Sequence, residues 1–185
     1  DLVAVAFDAM LAARDMQLVV LGTGDEDVHK LLAQLQERYP RKVKVWFDFN
    51  PKLGQQIYAG CDVFLMPSRY EPCGLGQLIS LRYGAVPLVR RTGGLADTVQ
   101  DADLPLRSGT GFVFEAPGAH ALEHAAERAI AAFSNASGWR ALQERGMRQD
   151  WSWGRAAGKY RELYAAAIAD RQQAREADGP REASA

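Results

Sequence analysis

The stretch SRYEPCGLGQLISLRYGAVPLVRRTGGLADTV, residues 68–99, decides the fold. The apolar run Val63-Phe64-Leu65-Met66 precedes it and stops at Pro67. A carboxylate, Glu71, follows in a loop with Pro72, Cys73 and Gly74, and an apolar-periodic segment starts at Leu75. A second apolar run, 86–89, ends in Arg90-Arg91 and opens into Thr92-Gly93-Gly94. Short apolar runs bounded by turn residues read as buried strands. Two strand ends, two glycine turns and two helix starts around one acid are how an open α/β sheet builds a ligand crevice at the carboxyl ends of its strands.

Outward from this stretch the alternation continues. Strands are expected at 18–21, closed by Gly22-Thr23-Gly24-Asp25, at 43–49, 62–66 and 86–89, with a shorter last strand at 111–114. Helices are expected at 28–39, with Leu31, Leu32 and Leu35 on one face, at 53–59 and at 75–83. Strands alternating with helices at this spacing mean βαβ units: a Rossmann-like α/β domain, with a parallel sheet and helices on both faces. The first residues form an amphipathic pattern, with Leu2, Val5, Ala6, Ala9 and Met10 on one face. A helix of a βαβ series normally follows a strand, so a first strand is expected upstream of Asp1.

After Pro117 the pattern turns helical. Leu122, Ala125, Ala129, Ile130 and Phe133 make one stripe, and Trp139, Leu142 and Met147 a second. A third helix, with Ser152 as its cap, carries Trp153, Ala156, Tyr160, Leu163, Tyr164 and Ala167, its aromatic residues read as packing anchors. The domain is expected to span 1–170. The charged, Ala-rich segment 171–185 is expected to be a fraying helix end or disordered tail.

Composition bounds the function. A chain of 185 residues, 48% hydrophobic and 24% charged, is an ordinary globular chain with room for a core. A net charge of -1 gives no general attraction to nucleic acid or membrane, and no apolar run is long enough to span a bilayer. Cys61 and Cys73 have no metal or redox spacing, and with no secretory segment a reducing cytosolic setting is expected. His120 and His124 lie one helical turn apart near Glu127 but lack a third strong ligand. They read as a solvated face, and no metal is expected. HExxH, GxSxG and Walker A patterns are absent.

Within the crevice, Glu71 has two readings: acceptor for the hydroxyls of a sugar, or a structural acid satisfying loop N–H groups. Gly74 and Gly76 bracket a helix start, where close backbone approach and free N–H groups suit a phosphate; a tight turn without ligand is the other reading. Gly22 and Gly24 pose the same choice, and Asp25 can cap the next helix. Thr92, Gly93 and Gly94 offer a second cluster of backbone donors. One of Arg90 and Arg91 is placed to meet phosphate; otherwise both are solvated or bridge to Asp97 or Asp101. Phe49 closes its strand and could stack on a base or belong to the core. The full GxGxxG fingerprint of NAD-binding domains is missing.

The blocks Pro67-Ser68-Arg69-Tyr70-Glu71-Pro72-Cys73-Gly74-Leu75, Tyr83-Gly84 and Thr92-Gly93-Gly94-Leu95-Ala96-Asp97-Thr98-Val99 closely resemble the C-terminal domain of bacterial glycogen synthases and starch synthases, and the resemblance reaches the Trp151-Ser152-Trp153 segment. It implies a GT-B architecture in which this chain is the donor-binding domain. It implies transfer of glucose from ADP-glucose, or UDP-glucose, to the non-reducing end of an α-1,4-glucan with retention, without metal or cofactor. By this resemblance Glu71 lies beside the donor glucose, the helix start of Gly74, Leu75 and Gly76 meets the diphosphate, and Pro72 and Cys73 also bind the donor. Thr92, Gly93 and Gly94 line the sugar-phosphate pocket, Phe49 sits near adenine, and Gly22 and Gly24 border the nucleoside. The acceptor is expected to be held mainly by an N-terminal domain. The location implied is the cytoplasm, or the plastid in a plant or alga.

Two departures are visible. Gly76 stands where many members carry a hydroxyl residue, and the family's basic diphosphate clamp and catalytic histidine are not in the sequence, so the chain alone is expected to be inactive. A broader group of retaining glycosyltransferases has a second glutamate at the position of Ile79. A non-catalytic nucleotide- or glucan-binding module of the same fold is the alternative reading.

Overall fold

The computed structural model describes residues 2–177. The elements run α1 (Leu2–Ala13), β1 (Leu18–Leu21), α2 (Glu26–Arg38), β2 (Val43–Trp46), α3 (Pro51–Gly60), β3 (Val63–Met66), α4 (Gly76–Tyr83), β4 (Val86–Arg90), α5 (Gly93–Thr98), β5 (Phe112–Phe114), α6 (Ala119–Phe133), α7 (Ala136–Met147) and α8 (Trp153–Ala177).

Every strand pair is parallel, from Leu18↔Val43 to Leu21↔Trp46, Val63↔Val86 to Met66↔Val89, and Leu88↔Phe112 to Arg90↔Phe114. The ladders form two sheets rather than one: β1-β2 and β3-β4-β5. One hydrophobic core nevertheless runs under both. It joins Leu18 and Val43 of the first sheet to Val86, Leu88 and Phe112 of the second, covered by Phe7, Met10 and Leu11 of α1 and by Leu122, Ala125 and Ala129 of α6. Strand alternation sends Val89 and Val113 to the other face, where they pack with Leu95 and Val99. Helices thus cover both faces of the second sheet, as expected of a parallel α/β domain.

Pro87 sits in the central strand β4 without breaking it. The Val86 N–H turns to Asp62 O on the β3 side, 2.9 Å away, so the Pro87 nitrogen faces β5, which begins only at Phe112.

The structure shifts several expected faces. In α1, Val5 is 68% exposed and Ala9 is exposed, while Phe7 and Leu11 join Ala6 and Met10 inside. The helix is apolar nearly all round, so periodicity alone left its phase open. In α6 the inward stripe is Leu122, Ala125, Ala126, Ala129 and Ala132; Phe133 is half-exposed, its ring edge-on to Trp139 at 5.1 Å. The chain divides after Gln149 into two units. In the second, taken by itself, α8 carries Trp153, Tyr160, Leu163 and Tyr164, with the Tyr160 and Tyr164 rings 6.2 Å apart. Asp150 rather than Ser152 ties the start of α8: its carboxylate accepts the Ser152 N–H at 2.9 Å, which holds its pKa below the usual carboxylate range. Residues 171–177 of the expected tail are helical, and 178–185 lie outside the described residues.

Candidate functional site

The two glycine turns on either side of β4 are in direct contact. The Gly94 N–H donates to Glu71 O at 3.0 Å and Pro72 O at 3.2 Å. A Cβ at Gly94 would come within 2.0 Å of Cys73 O, and one at Gly93, whose φ is +45°, within 2.0 Å of Glu71 O. These glycines are required because two backbones touch there, whatever else approaches them. Glu71, Pro72, Cys73, Gly74, Leu75, Gly76, Thr92, Gly93 and Gly94 therefore form one cluster, as the sequence placed them.

Two helices start in this cluster without a side-chain cap. Leu75 precedes α4 and Thr92 precedes α5, and neither side chain accepts an N–H of the first turn. A third start, α6, follows Gly118, which has no side chain to offer. The first-turn N–H groups of a helix need an acceptor, and their shared direction favours an anion. A cleft of about 320 Å³ opens beside the last of these starts, lined by Pro67, Arg69, Pro117, Gly118, Ala119 and, from α1, Leu2 and Val5.

Glu71 is half-buried, and among the described residues its carboxylate has one hydrogen-bonding neighbour, the Ser68 hydroxyl, 3.4 Å from Oε2. Its main-chain oxygen, not its carboxylate, takes the loop N–H. The carboxylate thus has acceptor capacity left over.

Arg91 lies on the solvated surface, one of the readings the sequence left open, whereas Arg90 turns to main-chain oxygens. Arg90 Nη1 donates to Ser68 O (3.1 Å) and to Arg69 O, and its Nε to Glu115 O (3.3 Å). It braces the loop that carries Glu71. Arg91 pairs with Glu115 at 2.5 Å on the surface, and Asp101 pairs with Arg128. Neither arginine bridges to Asp97 or Asp101, because side chains at the end of β4 reach the neighbouring strand ends first.

Gln77 is the residue that sequence reasoning missed. It is fully buried in α4, and its Nε2 donates to Cys73 O (3.2 Å), Gly74 O (3.0 Å) and Thr98 Oγ1 (3.2 Å). The signal was its phase: Gln77, Ser80 and Leu81 are the buried stripe of α4 at i, i+3, i+4. Gly74, with φ +69°, has no room for a Cβ, which would lie 2.5 Å from Gln77 Oε1.

Gly22, Gly24 and Phe49 belong to the other sheet. A Cβ at Gly22 or Gly24 would meet nothing within 4 Å, so no packing requires glycine there. Asp25 caps α2, accepting the Asp27 N–H at 2.9 Å. Phe49 does not close a strand: β2 ends at Trp46, and Phe49 is 82% exposed in the following loop. Trp46 and Phe47 are also partly exposed, the latter 4.1 Å from the His29 ring. Among the described residues no group of three or more His, Cys, Asp or Glu could hold a metal ion, and no helix is long and apolar enough to cross a membrane.

A parallel α/β domain with an acid and paired glycine turns at its strand ends matches a known class. The family "Glycosyl transferases group 1" matches residues 1–136, and the chain belongs to it. It is 52% identical over 153 residues to glycogen synthase 2 of Geobacter metallireducens, covering 83% of this chain and 32% of that protein. It is 48% identical to the glycogen synthase of Geobacillus thermodenitrificans, covering 89% of this chain and 34% of that protein. The chain thus spans about a third of the length of the curated relatives it matches. The catalytic domain of starch synthase IV from Arabidopsis thaliana, bound to ADP and acarbose, superposes with a TM-score of 0.65 at 29% identity, over 90% of this chain and 42% of that one. A sucrose-phosphate synthase from Thermosynechococcus elongatus shares the fold, with a TM-score of 0.62 at 22% identity over 89% of this chain and 42% of that one. The fold is therefore similar to GT-B glycosyltransferase domains, and glycogen and starch synthases are among its relatives.

Proposed function

We propose that the chain is the donor-binding part of a cytoplasmic retaining glucosyltransferase that extends an α-1,4-glucan from ADP-glucose. Its Rossmann-like sheet presents the donor site at the carboxyl ends of the strands. The observation that carries this reading is the contact between the two glycine turns. It sets the uncapped starts of α4 and α5 beside the loop of a half-buried carboxylate with spare acceptor capacity.

The chemistry follows from those parts. The amides of Gly76 and Gln77, with that of Gly93 nearby, stabilise the charge that develops on the departing diphosphate. Glu71 accepts hydrogen bonds from the glucose hydroxyls and fixes the anomeric carbon toward the acceptor. Gly22 and Gly24 leave open space for the nucleoside, and exposed Phe49 offers a ring to adenine. The ADP bound to starch synthase IV supports the adenine nucleotide as donor. The glucan acceptor is held mainly outside this chain, and neither metal nor cofactor takes part.

The test is a chimera in which this chain replaces the matching segment of the Geobacter metallireducens relative. Transfer from ADP-glucose to glycogen is expected. Glu71→Gln should lower turnover on the order of a hundredfold, while donor affinity stays within about twofold. Unchanged turnover would overturn the role of Glu71. Donor binding without any transfer would favour a non-catalytic binding module.

A further inference from the structure

We infer that Gln77 and Thr98 form a positioning pair that locks the start of α4 to the start of α5, and so sets the spacing of the amides that hold the donor diphosphate, a role that presupposes the donor reading above. Thr98 Oγ1 donates its hydrogen to Gly94 O at 2.6 Å, one turn back in α5. The hydroxyl is then left as an acceptor for Gln77 Nε2, at 3.2 Å. The same Nε2 reaches Cys73 O and Gly74 O, which are acceptors only, so the orientation of the amide is forced. One buried amide therefore ties the Glu71 loop, the first turn of α4 and, through Thr98, the carbonyl of Gly94. The Gly94 N–H closes the circuit on Glu71 O.

Stability alone does not account for a glutamine here. Its Oε1 is buried without a hydrogen-bond partner. An orphaned buried acceptor is costly, and an apolar side chain of similar shape would remove it. Gln77 carries that cost, and what its donors touch is the seam between the two helix starts. Gly74 makes room for it: a Cβ there would lie within 2.5 Å of Oε1. Four residues of two segments, Cys73 and Gly74 of the loop and Gly94 and Thr98 of α5, meet on this amide or its hydroxyl partner.

The test uses Gln77→Met, Thr98→Val and the double variant of the same chain, with two readouts. The first is amide hydrogen exchange without ligand. Gln77→Met should speed exchange of the Gly94 N–H about tenfold, the scale of one lost net hydrogen bond, while Leu88 and Val89 of β4 stay unchanged. The double variant should exchange no faster than Gln77→Met, since both changes break one circuit. The second is affinity for ADP-glucose, expected to fall about tenfold in each single variant and no further in the double. Unaltered exchange at Gly94 overturns the pair, as does faster exchange spread equally through β4, which would mark a merely structural residue. Variants that bind the donor as the parent chain does also overturn it. A parent chain that binds no donor removes the donor reading and the diphosphate role with it, while exchange at Gly94 separately decides whether the lock exists.

Discussion

The two sheets start their helices differently. In the β1-β2 half, α2 is capped by Asp25 and α3 by Asn50, whose side chain accepts the Leu53 N–H at 3.0 Å. In the β3-β4-β5 half, α4, α5 and α6 begin at Leu75, Thr92 and Gly118 with no side-chain cap. The glycines differ too: Gly22 and Gly24 face open space, whereas Gly93 and Gly94 are pressed against the Glu71–Cys73 backbone. A helix that satisfies its own first N–H groups has a finished end. One that does not leaves donors for a ligand. In the function proposed above, the charged part of the donor goes to the second half and its neutral part to the first.

Substitutions at the glycines should break the contrast most visibly. Gly94→Ala forces a methyl group into Cys73 O and should cost at least about 3 kcal/mol, read by denaturant unfolding. Gly24→Ala should stay within about 0.5 kcal/mol. Equal effects would mean that the two turns are built alike. Next in size is the brace. Arg90→Met strips a charged donor from Ser68 O and Arg69 O and should cost about 2 kcal/mol, against less than about 0.5 kcal/mol for Arg91→Met, whose pair with Glu115 is solvent-exposed.

The caps give a smaller, sharper comparison. Asn50→Ala should cost about 1 kcal/mol, whereas Thr92→Ala should cost well under that, because Thr92 makes no capping bond. Smallest is a difference in thiol reactivity. Burial pushes the Cys61 thiol up, while Cys73 is exposed beside the uncapped start of α4. Iodoacetamide near neutral pH should alkylate Cys73 at least about tenfold faster than Cys61, and ADP-glucose should slow only the former. Mass spectrometry of the two peptides measures both.

Much of this was legible because the pattern was local. The strand at 18–21 matched residue for residue, since Leu18-Val19-Val20-Leu21 is a short apolar run ended by Gly22-Thr23-Gly24. The Glu71 loop and the Thr92-Gly93-Gly94 turn were placed together because both follow strands of one parallel sheet. What escaped were features set by tertiary contact. The phase of α1 is ambiguous in a helix that is apolar nearly all round. Arg90 offered charge to the eye, but its geometry delivers it to main-chain oxygens. Gln77 was invisible because a glutamine in a helix reads as surface unless its phase is checked against Ser80 and Leu81. The reach of a strand is likewise decided by its partner: Phe47, Asp48 and Phe49 extend the apolar pattern but lie beyond the last register pair, Leu21↔Trp46.

The most direct measurement is a residue-resolved NMR titration of the labelled chain with ADP-glucose, set beside one with glucose alone. The account predicts saturable shifts of the amides of residues 74–78 and 92–95 with ADP-glucose and not with glucose, while the capped first-turn amides of α2 and α3, Asp27 and Leu53, stay in place. Shifts confined to Asp27 and Leu53, or none at the uncapped starts, would contradict it.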